Sequence, residues 1–331
     1  MSLSNKGSKI PAGGVKQMSQ TGRGILYGAG AGALWGLVFL APELVRSFSP
    51  LMLAAGRYLA YGLLAGVLLL PRWRRVSAQL SARDWKALFW LSLAGNTLYY
   101  TLLSQAVQTG GIALTSLVIG FLPVAVTVIG SRDQGAAPLK SLLFSLVLCA
   151  AGVVCIGWQA LVEPHPSGNT GVGLLCAVGA LVSWTAYAVG NSRCLTRLRC
   201  VSEHDWNLLT GVVTGAQAIV LVPFALWANA VPHSAGAWAR FAGVSAGVAL
   251  LASIFGNALW NRMSRLLPLT MTGQMILFET LFALLYGFLW EQRLPRPLEL
   301  AAFGLVAASV MSCVSVHRKH GPQAKEPCQT V

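Results

Sequence analysis

The chain has 331 residues, 55% of them hydrophobic and 10% charged, with a mean hydropathy of +0.63. That balance exceeds what a soluble globular domain carries and leaves little length for an extramembrane domain. The net charge of +14 would suit a nucleic-acid partner in a soluble protein, so the placement of the charges decides what they mean.

Ten apolar stretches follow one another at about 24–43, 51–70, 88–107, 113–130, 140–158, 172–190, 208–227, 241–260, 270–290 and 298–316. Each is long enough to cross a ~30 Å hydrocarbon core at 1.5 Å per helical residue. The expected fold class is all-α integral membrane, with ten transmembrane helices. With the N-terminus in the cytoplasm, nineteen Lys and Arg fall on the inner side, while Arg46, Arg240, Arg293 and Arg296 lie outside and Arg57 lies within a span. Basic residues of short loops set orientation. Both termini and the loops near 71–87, 131–140, 191–207 and 261–267 are therefore expected to be cytoplasmic, in a multi-pass protein of the cell inner (plasma) membrane. The bilayer is the implied partner, and nucleic acid is not. Residues 1–23 are polar and Gly/Ser-rich without an apolar signal core, so they read as a cytoplasmic tail and the first span as retained; 317–331 form a second tail.

In chain order, span one places Gly28, Gly32 and Gly36 one turn apart, which permits close helix contact, and carries Trp35 at mid-span, away from the interfaces where Trp concentrates. Span two carries Arg57, whose stem can snorkel to the outer headgroups or whose charge can face a cavity and Glu43 or a substrate carboxylate. Gly62 and Gly66 are again one turn apart. Span three holds Asn96 near the midplane, and of Tyr99 and Tyr100 only one can line a given cavity. Span six holds Trp184. Cys194, Cys200 and His204 share a loop, but their spacing matches no zinc signature, so no metal is expected. Gly243-Val244-Ser245-Ala246-Gly247 fits the nucleophile-elbow pattern, yet it lies in an apolar span and all five histidines fall in loops or the tail, so an enzyme is not expected. Asn257 lies in span eight. A buried amide in lipid serves equally as helix glue or as a substrate contact.

Glu279 is about nine residues into span nine, ~14 Å from its inner end. A carboxylate at the helix centre costs ~2.5–3.5 kcal/mol even on the lower insertion scales. It therefore reads as a proton-coupling or cation-binding site, or as a protonated acid bonded to a neighbouring helix. No phosphate-binding Gly-rich loop with Lys is present, so neither a nucleotide nor any other cofactor is implied.

Gly95-Asn96-Thr97-Leu98-Tyr99 and Gly256-Asn257-Ala258-Leu259-Trp260 match at a shift of 161, Gly24, Gly30, Ala31 and Trp35 match Gly173, Gly179, Ala180 and Trp184 at a shift of 149, and Pro138-Leu139 match Pro297-Leu298 at 159. The order is collinear, as in an internal duplication. Five spans per half is an odd number, so 24–158 and 172–316 are expected to be inverted five-helix repeats, the architecture of alternating-access transporters. Trp35 and Trp184 then stand at equivalent positions, as opposite walls of a cavity that would take an aromatic or amine group, or simply as packing.

Several segments resemble the EamA family of the drug/metabolite transporter superfamily: Ala33-Leu34-Trp35-Gly36, Gly56-Arg57-Tyr58, Gln105 to Leu117 followed by Gly120-Phe121-Leu122-Pro123, Leu277-Phe278-Glu279-Thr280, and Trp290-Glu291-Gln292-Arg293-Leu294. Thr280 and Trp290 stand where the family often has Pro and Gly, so the resemblance does not carry a Pro-induced break into span nine. It implies ten helices, cytoplasmic termini and outward movement of small metabolites. The resulting expectation is a secondary transporter that exports or exchanges amino acids or related amine-bearing compounds, with protons as a candidate coupling ion and Glu279, Trp35, Trp184, Asn96, Arg57, Tyr100 and Asn257 as candidate binding or coupling residues. Uptake by the same fold and a non-transporting membrane scaffold or sensor are the alternatives.

Overall fold

The computed structural model describes residues 19–45, 47–133, 136–162, 170–198, 200–228, 232–292 and 294–320, and no strand occurs among them. α1 (Gln20–Gly36) passes through a 3₁₀ segment, Leu37–Leu40, into α2 (Ala41–Leu44). α3 (Pro50–Leu69) is followed by the short α4 (Trp73–Ser77), then by α5 (Ala82–Ser92), a π-helical segment Leu93–Thr97, and α6 (Leu98–Ile119). α7 (Leu122–Gly130) and α8 (Leu139–Val162) complete the first half. The second comprises α9 (Thr170–Arg197), α10 (Glu203–Ala228), α11 (Ala235–Val248), a π-helical segment Ala249–Gly256, α12 (Asn257–Leu266), α13 (Leu269–Met275), α14 (Leu277–Glu291) and α15 (Pro297–His320).

Five runs are long and apolar enough to cross a membrane: Leu51–Ser77, Gly171–Arg197, Glu203–Ala228, Ala235–Leu266 and Pro297–His317. They correspond to expected spans two, six, seven, eight and ten. The other five expected spans are helical without meeting that measure among the described residues, so the count of ten separate spans is not established. Span nine is split at Ile276 without any proline, where i→i+3 bonds from Ile276 N to Gly273 O and from Glu279 N to Ile276 O replace the α ladder. The connection expected at 108–112 is not a loop: helix runs without a break from Ala82 to Ile119 and the turn falls at Gly120-Phe121. Residues 107–114 carry no Pro and no charge, so nothing in them forces unwinding.

The polarity of the molecule is inverted relative to a soluble protein. Trp227 is 85% and Leu175 74% exposed, whereas Asn207, Thr214, Gln274 and Ser309 are fully buried. Hydrocarbon can cover the first set, and helix-to-helix hydrogen bonds satisfy much of the second.

Elements of one half pack against their counterparts in the other: α3 on α10, α7 on α13, α8 on α15. Each pair runs antiparallel. Cβ atoms built on Gly62 and Gly211 would meet Gly215 and Ala65, Val126 and Gly130 lie against Gly273 and Leu269, and Ser145 bonds Ser309 while Gly152 faces Val306. The α3–α10 crossing depends on two glycines, since a Cβ on Gly62 would meet Gly215 Cα at 2.5 Å. The α1 glycines pack as expected, Gly28 against Met263 and Met275, Gly32 against Phe278, and Gly36 against Phe282 and Ala283. By contrast, among the described residues nothing lies within 4 Å of a Cβ at Gly66, Gly243 or Gly247, so a side chain there would meet open space.

Among the described residues, four ion pairs gather at one end: Arg72–Asp205 (2.9 Å), Arg193–Asp133 (2.7 Å), Arg197–Asp84 (2.5 Å) and Arg265–Glu203 (3.3 Å). Asp84 also closes a capping box with Ser81 at the start of α5. Burial pushes its carboxyl up, but the Ser81 hydroxyl, the Ser81 N–H and the Arg197 guanidinium outweigh that and hold it below the ordinary carboxylate range.

Candidate substrate site between the two halves

The two π-helical segments end beside Asn96 and Asn257, the equivalent asparagines of the internal repeat. A π turn widens the helix and frees carbonyls from the regular ladder. Side chains of neighbouring helices take them up. Ser183 Oγ donates to Ala94 O (2.8 Å) and Tyr58 OH to Asn96 O (3.3 Å). Asn207 Nδ2 donates to Ser253 O (3.3 Å) and Ile254 O (2.9 Å), and Trp35 Nε1 to Ala252 O (3.1 Å) and Asn257 Oδ1 (3.2 Å). Asn96 Nδ2 in turn donates to Thr214 Oγ1 (3.2 Å). Each asparagine thus carries a hydrogen bond to another helix, Asn96 to Thr214 and Asn257 to Trp35.

Trp35 and Trp184 are buried with ring centroids 6.2 Å apart, edge to face. Trp260 lies 5.1 Å from Trp35 and Tyr99 lies 6.4 Å from Trp184. Trp260 and Tyr99 are themselves repeat mates, so the two contacts are symmetry-equivalent and meet at the middle of the molecule. Trp260 also packs 5.6 Å from Trp184, and its buried indole N–H has no hydrogen-bond partner among the described residues. An N–H of this kind is costly to leave unmade.

Arg57 is buried and does not snorkel. Its Nε donates to Ser253 Oγ (3.3 Å), and its guanidinium carbon stands 5.2 Å from the Tyr58 ring and 5.5 Å from the Tyr100 ring. No carboxylate lies within ion-pair distance of it among the described residues; the Glu43 side chain, its expected partner, lies outside them. Tyr100 packs on Tyr58 at 6.0 Å while Tyr99 turns toward Trp184, so the adjacent tyrosines diverge as their helical spacing requires.

Glu279 occupies the first turn of α14, directly after the break at Ile276. A helix N-terminus favours a carboxylate through its free N–H groups and dipole. Gly32 brings α1 against it, since a Cβ there would meet Glu279 N at 2.7 Å. The carboxyl is half-buried, makes no hydrogen bond or ion pair among the described residues, and lies within electrostatic range of Arg57 and Tyr99. The structure therefore brings Glu279, Arg57, Tyr100, Trp35 and Trp184 around one region, with Asn96 and Asn257 fastening its walls.

Sequence reasoning missed Trp260, Tyr58, Asn207 and Ser253. Trp260 was legible as the repeat mate of Tyr99; the others carry no mark beyond being polar or aromatic in apolar spans. Ser245, at the centre of the elbow-like motif, is a buried residue within α11, so the strand–turn–helix geometry of a nucleophile elbow is not formed.

An all-helical, two-half molecule with apolar exterior and a polar, aromatic centre is a polytopic membrane protein of the solute-carrying kind. The chain belongs to the EamA-like transporter family, whose model matches it twice, over residues 22–158 and 171–315. It is 31% identical over 313 residues to the Inner membrane protein YtfF of Escherichia coli (strain K12), covering 88% of this chain and 94% of that protein. It is also 29% identical over 221 residues to an uncharacterized transporter of Archaeoglobus fulgidus, covering 65% and 71% of the two chains. A crystal structure at 17% identity superposes with TM-score 0.71 over 89% of this chain and 98% of its own, which shows the fold.

Proposed function

We propose that the protein is a secondary transporter that exports or exchanges amino acids or related amine-bearing metabolites by alternating access, through ten spans with both termini cytoplasmic and two inverted repeats, 24–158 and 172–316. The single observation that carries the substrate class is the pairing of an acid and a base that do not neutralise each other by contact. Among the described residues Glu279 has no ion pair and Arg57 holds Ser253 Oγ beside the Tyr58 and Tyr100 rings. A zwitterion satisfies both at once, its carboxylate on Arg57 and its ammonium on Glu279 with cation–π support from the indoles. The antiparallel pairing of equivalent helices and the symmetric Trp35–Trp260 and Trp184–Tyr99 contacts support inverted repeats. Location in an inner membrane is supported by the printed name of the Escherichia coli relative.

The test is uptake and efflux of a labelled panel of amino acids, amines and carboxylates in vesicles holding the purified protein. Zwitterions are expected to be carried, and their des-amino and decarboxylated analogues to be carried poorly. Equal transport of a plain amine and its parent amino acid would remove Arg57 from the binding role.

A further inference from the structure

At the end where the ion pairs gather, a cleft of ≈ 220 Å³ opens between α1, α10 and α12, lined by Arg23, Tyr27, Glu203, Arg262, Arg265 and Leu266. Three guanidinium groups face one carboxylate there. Glu203 is engaged by Arg265 at 3.3 Å, and Arg265 also donates to Leu198 O (2.9 Å) and Val201 O. The nearby Asp205 is taken by Arg72 at 2.9 Å. Arg23 and Arg262 have no carboxylate within 4 Å among the described residues. Arg262 rests against the Tyr27 ring at 6.0 Å, which keeps its charge at the mouth of the cleft. Arg23 sits in the first turn of α1, which contains no acid. A cation at that position is unfavourable, because it adds to the positive end of the helix dipole.

We infer that this cleft binds a phosphate group, coordinated by Arg23 and Arg262. Guanidinium forks match phosphate oxygens two at a time. The cleft lies at the cytoplasmic face in the orientation set by the basic-residue bias, the level at which inner-leaflet headgroups present phosphodiesters. The same chemistry is offered by free inorganic phosphate, and the experiment separates the two. The bound group would join α1 of the first half to α12 of the second at this end. This inference does not depend on what the central site carries.

The measurement is the thermal unfolding of delipidated protein in neutral detergent, with added phosphatidylglycerol, phosphatidylcholine or inorganic phosphate, for the wild type, R23Q/R262Q and a control, R74Q/R75Q. Phosphatidylglycerol is expected to raise Tm more than phosphatidylcholine in the wild type and control, with that difference lost in R23Q/R262Q. If inorganic phosphate at millimolar concentration gives the same Arg23- and Arg262-dependent rise, the cleft takes the free anion and the phosphate site stands. A response to phosphatidylglycerol or phosphate that is undiminished in R23Q/R262Q, or no response to either in the wild type, would overturn it. Should R23Q/R262Q not fold, the single variants are compared by native mass spectrometry, where each is expected to retain less phosphatidylglycerol than R74Q/R75Q, and equal retention counts against the site.

Discussion

At the scale of the residue, the proposed chemistry rests on Glu279 and Arg57, which form no ion pair with each other among the described residues. If Glu279 couples protons, Glu279→Gln inserts and folds, loses gradient-driven transport, and keeps substrate exchange with no pH dependence near neutrality. If it holds the substrate ammonium directly, exchange fails as well. Normal transport with unchanged pH dependence would leave it a helix fastener. Arg57→Gln is expected to raise the apparent KM for a zwitterion about 10- to 150-fold, corresponding to ~1.5–3 kcal/mol for a hydrogen bond to a charged group, with little effect on a plain amine. Away from the site, Asp84 sets an acid limit on stability. Its carboxyl titrates lower in the folded than in the unfolded chain, so the unfolded state binds more protons as pH falls. The stabilisation is present above the ordinary carboxylate range and is lost as pH drops through the folded-state pKa. Asp84→Asn should lower Tm at neutral pH and flatten its acid dependence, as read by thermal unfolding between neutrality and acid.

At the scale of the element, glycine spacing alone did not reveal which glycines are buried in contacts. Gly62 and Gly66 look alike in sequence, yet one meets the backbone of α10 and the other meets nothing. Gly62→Val is expected to destabilise by roughly 1–3 kcal/mol, since backbone must move to admit the side chain, whereas Gly66→Val should stay within about 0.5 kcal/mol. Denaturation of the purified variants in detergent measures both, and equal losses would show that the α3–α10 contact is not what separates them. The π-helical segments were likewise invisible in sequence. No proline or charge marks Leu93–Thr97 or Ala249–Gly256; they arise because Tyr58, Ser183, Trp35 and Asn207 from other helices accommodate the freed carbonyls. The break before Glu279 also lacks the proline that would announce it.

At the scale of the whole molecule, the 19-to-4 division of basic residues and the antiparallel pairing of equivalent helices point to the same arrangement. Single cysteines placed at Gln79 and at Ala230, in a background freed of native cysteines, should differ in labelling of intact cells by a membrane-impermeant maleimide. The Ala230 position is expected to label and the Gln79 position to label only after permeabilisation. Labelling of both from outside would remove the topology and, with it, the inverted orientation of the repeats. The helical membrane class and the duplication were open to sequence reading because both are repeated signals, apolar length in one case and collinear matches in the other. The count of separate spans was less so, because short or interrupted helices are held by neighbours rather than by their own length.

The residues alone mark the chain as a helical membrane protein built from two related halves, with an acid and a base expected within apolar spans. These follow from local quantities: hydropathy over a helical span, the charge of loops, and the price of a carboxylate in hydrocarbon. Packing in three dimensions is what buries Arg57 without an ion pair to Glu279 among the described residues and sets Trp260 against Trp35 and Trp184. Those outcomes depend on which helix faces another and in what rotation. Nearly every face of a membrane helix is apolar, so the amphipathic pattern that reports rotation in a soluble protein is too weak here to read.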